Sequence, residues 1–186
     1  MENLKNQCAA CEKCELAKGR TNVVFGCGNE NARIMFVGEG PGEQEDLQGE
    51  PFVGKSGQLL DKYLKLIDLD RNKNVYIANI VKCRPPLNRD PSVQGQDVCI
   101  EYLRQQVKLV KPDIIVCLGR IAAQRLISPD FRVTAEHGKF IKKGSIYFMG
   151  TFHPSALLRN ESNKVPALKD FQALRDMICQ LEIDIT

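Results

Sequence analysis

Asp113-Ile114-Ile115-Val116-Cys117-Leu118-Gly119 is the stretch on which the fold turns. An apolar run this continuous suits a strand covered on both faces, which is the habit of a parallel sheet held between helices. Upstream, Arg33-Ile34-Met35-Phe36-Val37-Gly38 reads as a second such strand and Val75-Tyr76-Ile77-Ala78 as a third. Downstream, Lys139–Ile141 and Ile146–Met149 are strand-like. Helical spacing fills the gaps. Leu59, Leu60, Tyr63, Leu64, Leu66 and Ile67 form one stripe between Gly57 and Leu69. Val98, Tyr102, Leu103, Val107 and Val110 form another from about Gln96, stopped by Pro112. Further helices are expected near Ile121–Ile127 and over about Pro166–Leu181. Strands alternating with helices predict an α/β layer fold with a mostly parallel sheet.

Composition agrees and narrows the class. The 186 residues are 43% hydrophobic and 26% charged, with a formal net charge of +3. That is enough for one domain with a real core, expected over 1–186. No apolar run approaches the roughly 20 residues of a membrane span, and the first twenty residues lack a secretory apolar stretch. Membrane, collagenous, coiled-coil and bulk-disordered classes are excluded. Eight cysteines without an export signal point to thiols in a reducing, cytoplasmic compartment, serving as metal ligands or buried residues.

In a sheet of this kind ligands bind beyond the carboxyl ends of the strands, where the unusual sequences lie. Taking the strands in chain order, Gly38-Glu39-Gly40-Pro41-Gly42 follows the strand from Arg33, Asn79 ends the one from Val75, Gly119-Arg120 follows the one from Asp113 and His153-Pro154-Ser155 the one from Ile146. Two other motifs mislead. Gly49-Glu50-Pro51-Phe52-Val53-Gly54-Lys55-Ser56 matches a phosphate loop in letters. It follows an acidic stretch rather than a strand, however, and Pro51 has no N–H to give, so the expectation is a loop opening a helix. Gly38-x-Gly40 fails the dinucleotide fingerprint because Glu43 stands at the third glycine.

Cys11 and Cys14 form a C-x-x-C pair, and fifteen residues separate Cys83 from Cys99. Four such thiolates close a structural metal site; spacing alone leaves zinc and an iron–sulfur cluster both open. Cys117 and Cys179 read as buried thiols, while Cys8 and Cys27 stay unassigned. Lys82, Arg84 and Arg89 give the intervening loop a positive surface suited to phosphates.

Four segments in order resemble the motifs of the family-four uracil-DNA glycosylases. They are Gly38-Glu39-Gly40-Pro41-Gly42-Glu43, Pro51-Phe52-Val53-Gly54, Asn79-Ile80-Val81-Lys82-Cys83-Arg84-Pro85-Pro86, and His153-Pro154-Ser155-Ala156-Leu157-Leu158-Arg159-Asn160. The resemblance runs from about Cys11 to the final helix. It implies a three-layer α/β sandwich with a central, mostly parallel four-stranded sheet flanked by helices. It further implies a structural [4Fe-4S] cluster on Cys11, Cys14, Cys83 and Cys99, and uracil-containing DNA as substrate, opened by base flipping for base excision repair. A monomer acting in the cytoplasm, at the nucleoid, is the expected setting. The competing readings are a noncatalytic metal-bearing DNA-binding module and a glycosylase for another base, such as hypoxanthine or mismatched thymine.

The residue types suit the implied reaction. Phe52 offers a flat face for an extruded base. The Asn79 amide carries a donor and an acceptor that together match uracil O4 and N3–H, a pattern that cytosine reverses. His153 is the candidate donor to uracil O2, where negative charge collects as the base departs. Gly40 stands where better-known relatives carry an aspartate or asparagine, a departure that family four shares. That leaves Glu39 or Glu45 to position water, or Glu45 to crowd uracil C5 in place of the tyrosine that Gly42 replaces. Leu157 is expected as an apolar wedge for the vacated gap, and Arg84 and Arg159 as phosphate contacts. His137 falls outside the site.

Overall fold

The computed structural model describes residues 1–185. Six strands form one sheet: β1 (Cys27–Gly28), β2 (Ile34–Gly38), β3 (Val75–Asn79), β4 (Ile114–Leu118), β5 (Phe140–Lys143) and β6 (Ile146–Thr151). Their order is β1-β3-β2-β4-β6-β5. The inner four, β3-β2-β4-β6, pair in parallel, and this is the four-stranded sheet that the sequence implies. The sheet as a whole is wider, because β1 joins antiparallel on β3 and β5 antiparallel on β6. Gly26-Cys27-Gly28-Asn29 reads as a turn; it gives a two-residue strand, paired through main-chain atoms with no side-chain periodicity to announce it.

Alternation within the strands explains the three layers. Ile34 and Phe36 of β2, with Ile114, Val116 and Leu118 of β4, enter one core. Met35, Val37, Ile115 and Cys117 enter the other. The first core is closed by α3 (Lys55–Leu66), α7 (Pro154–Arg159) and α8 (Lys164–Gln180), which supply Leu60, Leu64, Leu157, Phe171 and Leu174. The second is closed by α1 (Glu2–Ala9), α4 (Val93–Val110) and α5 (Arg120–Leu126), which supply Leu4, Ile100, Leu103 and Ala123. Two short helices, α2 (Glu43–Gln48) and α6 (Val133–Glu136), lie in the loops beyond the strands. Helix α4 starts at Val93, ahead of the apolar stripe, because the Ser92 hydroxyl accepts the Gly95 amide and caps it.

Parallel registry aligns the strand ends. Gly38 sits opposite Asn79, and Leu118 opposite Thr151. The segments after β2, β3, β4 and β6 therefore share one rim.

Candidate active site

A cavity of about 830 Å3 opens on that rim, lined among others by Glu39, Gly40, Glu45, Phe52, Asn79, His153 and Arg159. Asn79, the last residue of β3, and His153, two residues beyond β6, thus line one space together with Phe52. The Phe52 and His153 rings lie 5.6 Å apart by centroid. On its other side Phe52 packs where Gly38 leaves room: a Cβ there would stand 2.6 Å from the ring and 2.5 Å from Asn79 Oδ1.

Phe52 is held in place at a cost. Its φ of 55° is left-handed, a conformation that non-glycine residues resist. Arg71 compensates, donating from Nη2 to the Phe52 carbonyl at 2.6 Å and from Nη1 to Pro51 at 3.1 Å. Asp61 fixes the guanidinium through Nε at 2.7 Å. Gly57 completes the seat, since a Cβ there would fall 1.8 Å from the Phe52 oxygen. Glu45 Oε1 accepts the amides of Val53 and Gly54, both at 2.9 Å. The phosphate-loop motif is thereby explained away: amides that an anion would need are already taken by a carboxylate, and Gly54 opens α3 as expected.

His153 caps α7, with its Nδ1 accepting the Ser155 amide at 3.1 Å. An amide only donates, so the neutral ring carries its proton on Nε2. Burial, with help from Arg159, pushes the imidazole down to about 4, so it is neutral at physiological pH. Glu39 moves the other way, to about 7, through burial and Asp90, against the pull of Arg120 and Arg159.

Among the described residues one buried side-chain polar atom lacks a hydrogen-bond partner, and it is Asn79 Oδ1. A buried acceptor without a partner, on a residue that lines a cavity beside an aromatic ring, is an address for a donor on a flat ligand. The profile of the uracil DNA glycosylase superfamily matches residues 25–178. The chain belongs to this superfamily. Within it the chain is 42% identical to a type-4 uracil-DNA glycosylase of Thermotoga maritima, over 96% of this chain and 94% of that one. It is 39% identical to the type-4 enzyme of Archaeoglobus fulgidus, over 95% and 92%. With a type-4 enzyme of Sulfurisphaera tokodaii the identity is 40%, over 95% and 84%.

The other residues singled out in this glycosylase-family chain divide. Arg159 lines the cavity. Arg84 does not; it bonds Asn88 at 2.8 Å and pairs with Glu43 at 3.5 Å. Leu157 is 2% exposed and packed in the core with the α3 and α8 side chains, where its loss would leave a cavity. Lys82 is likewise no part of a positive surface. It is 1% exposed, and burial brings its ammonium down to about 8. Its Nζ donates to the Asn79 carbonyl at 2.9 Å and to Gln106 Oε1 at 2.6 Å. Arg71 and Lys82 are the functional supports that sequence reasoning missed, since neither sits in a pattern that signals burial or a loop clamp.

Cys11, Cys14, Cys83 and Cys99 line a second, small cavity, joined by Cys8. Among the described residues no three side chains of metal-ligating type stand in ligating geometry, so these thiols share a space without closing a coordination shell. The donor set nevertheless fits a thiolate-bound group: no carboxylate or imidazole lines the cavity. Sulfur also receives two N–H bonds, from the Lys82 amide to Cys99 at 3.2 Å and from Arg20 to Cys83 at 3.4 Å. Cys27 lies apart on β1, pushed up to about 11 by burial. Cys117 is buried as expected, whereas Cys179 is exposed, on the outer side of α8.

Proposed function

We infer that this chain is a monofunctional uracil-DNA glycosylase, which flips uracil out of DNA and hydrolyses its N-glycosidic bond at the start of base excision repair. The unpartnered Oδ1 of Asn79, a residue lining the rim cavity, carries this reading. Uracil N3–H supplies the donor that atom lacks, and the amide NH2 of Asn79 meets uracil O4. Cytosine would set acceptor against acceptor there, at a cost of several kcal/mol in a dry site. Phe52 stacks on the extruded ring. His153, neutral and protonated on Nε2, donates to uracil O2 and stabilises the charge that grows there as the bond breaks.

Of the two carboxylates, Glu39 is the better candidate for orienting the attacking water, because Glu45 is engaged by the amides that shape the Phe52 loop. Glu45 Oε2 lies 2.8 Å from where a Cβ on Gly42 would stand, which supports a part for it in crowding uracil C5 and refusing thymine. Gly40 is accounted for by Val81, whose methyl would come within 2.7 Å of a Cβ. Arg159 is the phosphate contact this reading retains; Arg84 acts instead by bracing the loop after β3.

A [4Fe-4S] cluster on Cys11, Cys14, Cys83 and Cys99 would tie the N-terminal segment to the loop after β3 and to α4, a structural service. The reading takes 1–186 as one domain, monomeric, working on cytoplasmic DNA at the nucleoid.

The test is base release from oligonucleotides carrying uracil, thymine or hypoxanthine, followed by alkali. Strand scission at uracil alone, lost in Asn79→Asp, is expected. Binding without scission would make the chain a DNA-binding module. Scission at hypoxanthine or thymine that survives Asn79→Asp would make it a glycosylase for another base.

A further inference from the structure

The cavity in which Cys11, Cys14, Cys83 and Cys99 meet holds a fifth thiol, that of Cys8. Cys8 lies in the last turn of α1 and is 1% exposed, whereas Cys11 and Cys14 are half-buried. A thiol so deeply buried usually serves as a small apolar side chain. Its company sets Cys8 apart. Its main-chain carbonyl accepts the Cys11 amide at 3.1 Å, so the two cysteines stand one turn apart on the wall of one cavity. Burial pushes the Cys8 thiol up, Lys82 pulls it down, and Cys99, Cys11 and Cys83 push it up further. Cys14 acts instead on Cys83 and Cys99. The chain thus offers two C-x-x-C pairs, Cys8 with Cys11 and Cys11 with Cys14, and both face the same downstream thiols. The end of α1 is firmly tied: Arg20 donates to the Ala9 carbonyl at 3.3 Å, to the Cys11 carbonyl at 2.6 Å and to Cys83 sulfur at 3.4 Å. Cys14, by contrast, stands just ahead of a short 3-10 turn, Glu15–Lys18.

We propose that Cys8 is a reserve ligand for the iron–sulfur group of this cavity and takes the place of Cys14 when Cys14 is released. The proposal rests on the reading of the cavity as the seat of such a group. Exchanging Cys14 for Cys8 shifts the pair by three residues and keeps its two-residue gap, with Cys11, Cys83 and Cys99 common to both sets. The exchange needs no oxidant or reductant. Metal is held by thiolate, so Cys8 gives up its proton as the departing Cys14 thiolate takes one. One sulfur–iron bond forms as another breaks, and no electron moves. Lys82, which burial holds down and which Cys99 and Cys8 push back up, sets a positive charge within electrostatic reach of the incoming ligand. A half-buried ligand is the one that solvent and oxidants reach first. A buried thiol on the same wall lets the chain keep its group through that loss.

The experiment measures iron, sulfide and visible absorbance in anaerobically purified wild type, Cys8→Ala, Cys11→Ala, Cys14→Ala and the double variant Cys8→Ala/Cys14→Ala. Wild type and Cys8→Ala are expected to carry the same full complement. Cys14→Ala should keep about half of it or more, and the double variant about a tenth or less. Cys11→Ala should be as empty as the double variant, because Cys11 belongs to both pairs. A Cys14→Ala chain as empty as the double variant overturns the proposal, and so does a double variant as full as Cys14→Ala. Loss of iron to a chelator is a second measurement, and it does not depend on Cys14→Ala folding. Cys8→Ala and Cys8→Val, fully loaded at the start, should release iron roughly fivefold faster than wild type or more; equal rates overturn the proposal. A wild type without iron or sulfide defeats the reading of the cavity and the proposal with it. That result is distinct from a loaded wild type whose Cys14→Ala form is empty.

Discussion

The ammonium of Lys82 lies 2.9 Å from the main-chain carbonyl oxygen of Asn79. The same residue donates its amide to Cys99 sulfur at 3.2 Å, so one buried lysine touches both the end of β3 at the rim cavity and the thiol cavity. Gln106 accepts its second bond and is itself anchored on the Phe25 carbonyl at 2.9 Å and the Tyr76 hydroxyl at 3.1 Å. Lys82→Met fills the volume without the donors and leaves two buried acceptors open. A loss of about 1–3 kcal/mol in urea unfolding is expected, together with a raised KM for uracil-DNA as the Asn79 main chain loosens. Wild-type stability in this variant would mean that the bonds carry no net weight.

Arg71 lies on the far side of Phe52 from the cavity, and its effect is felt through the loop. Arg71→Ala removes both carbonyl contacts and lets the Phe52 backbone relax from its left-handed state. A fall of roughly tenfold in kcat/KM is expected, the equivalent of about 1.4 kcal/mol, and it should appear mainly in KM. Arg71→Lys, which lacks the planar fork, should recover only part. A variant with unaltered kinetics would show that the ring keeps its seat without the clamp.

On the proposed reading, Glu39 is expected to set the pH dependence. With its carboxyl raised to about 7, the ionised form needed to orient water accumulates as pH rises through neutrality. A kcat/KM profile climbing with an apparent pKa near 7 is expected, flat and low in Glu39→Gln. Stability runs the opposite way. Between the ordinary glutamate range and about 7 the folded chain holds a proton that the unfolded chain has released, so this group destabilises the fold as pH rises across that window. His153, held down near 4, should stay neutral from pH 5 to 9 by NMR. There the unfolded chain takes up protons first, and stability drops as pH falls from about 6.5 toward 4.

The thiol cavity gives a fourth prediction. Preparations should be brown, with iron and sulfide that are lost together in Cys83→Ala or Cys99→Ala, and those variants should lose soluble yield before they lose intrinsic chemistry. A colourless protein with one bound zinc would reassign the site.

Much of this was legible in the chain because parallel strands announce themselves. Ile114–Leu118 and Ile34–Val37 are buried on both faces, and their residues are apolar throughout. The rim segments followed from the strand ends. What escaped had no local signature. In α1 only Leu4 and Cys8 are buried, and α2 buries only Asp46, so neither shows a stripe. That aspartate serves the chain by accepting the Thr21 amide at 2.9 Å. Lys82 reads as solvent-facing because its partners arrive from Asn79 and Gln106, contacts visible only after β3 and α4 meet. Leu157 is spaced from His153 as a wedge would be, and the same spacing suits the inward face of α7, where it joins the core shared with α3.

The close seating of Gly57 on the Phe52 carbonyl has a consequence for how such chains diverge. Eight letters that a genome scan would score as a nucleotide-binding signature are here committed to presenting a phenyl ring. The glycine that might pass for loop flexibility is the residue that any drift toward a bulkier side chain would strike first.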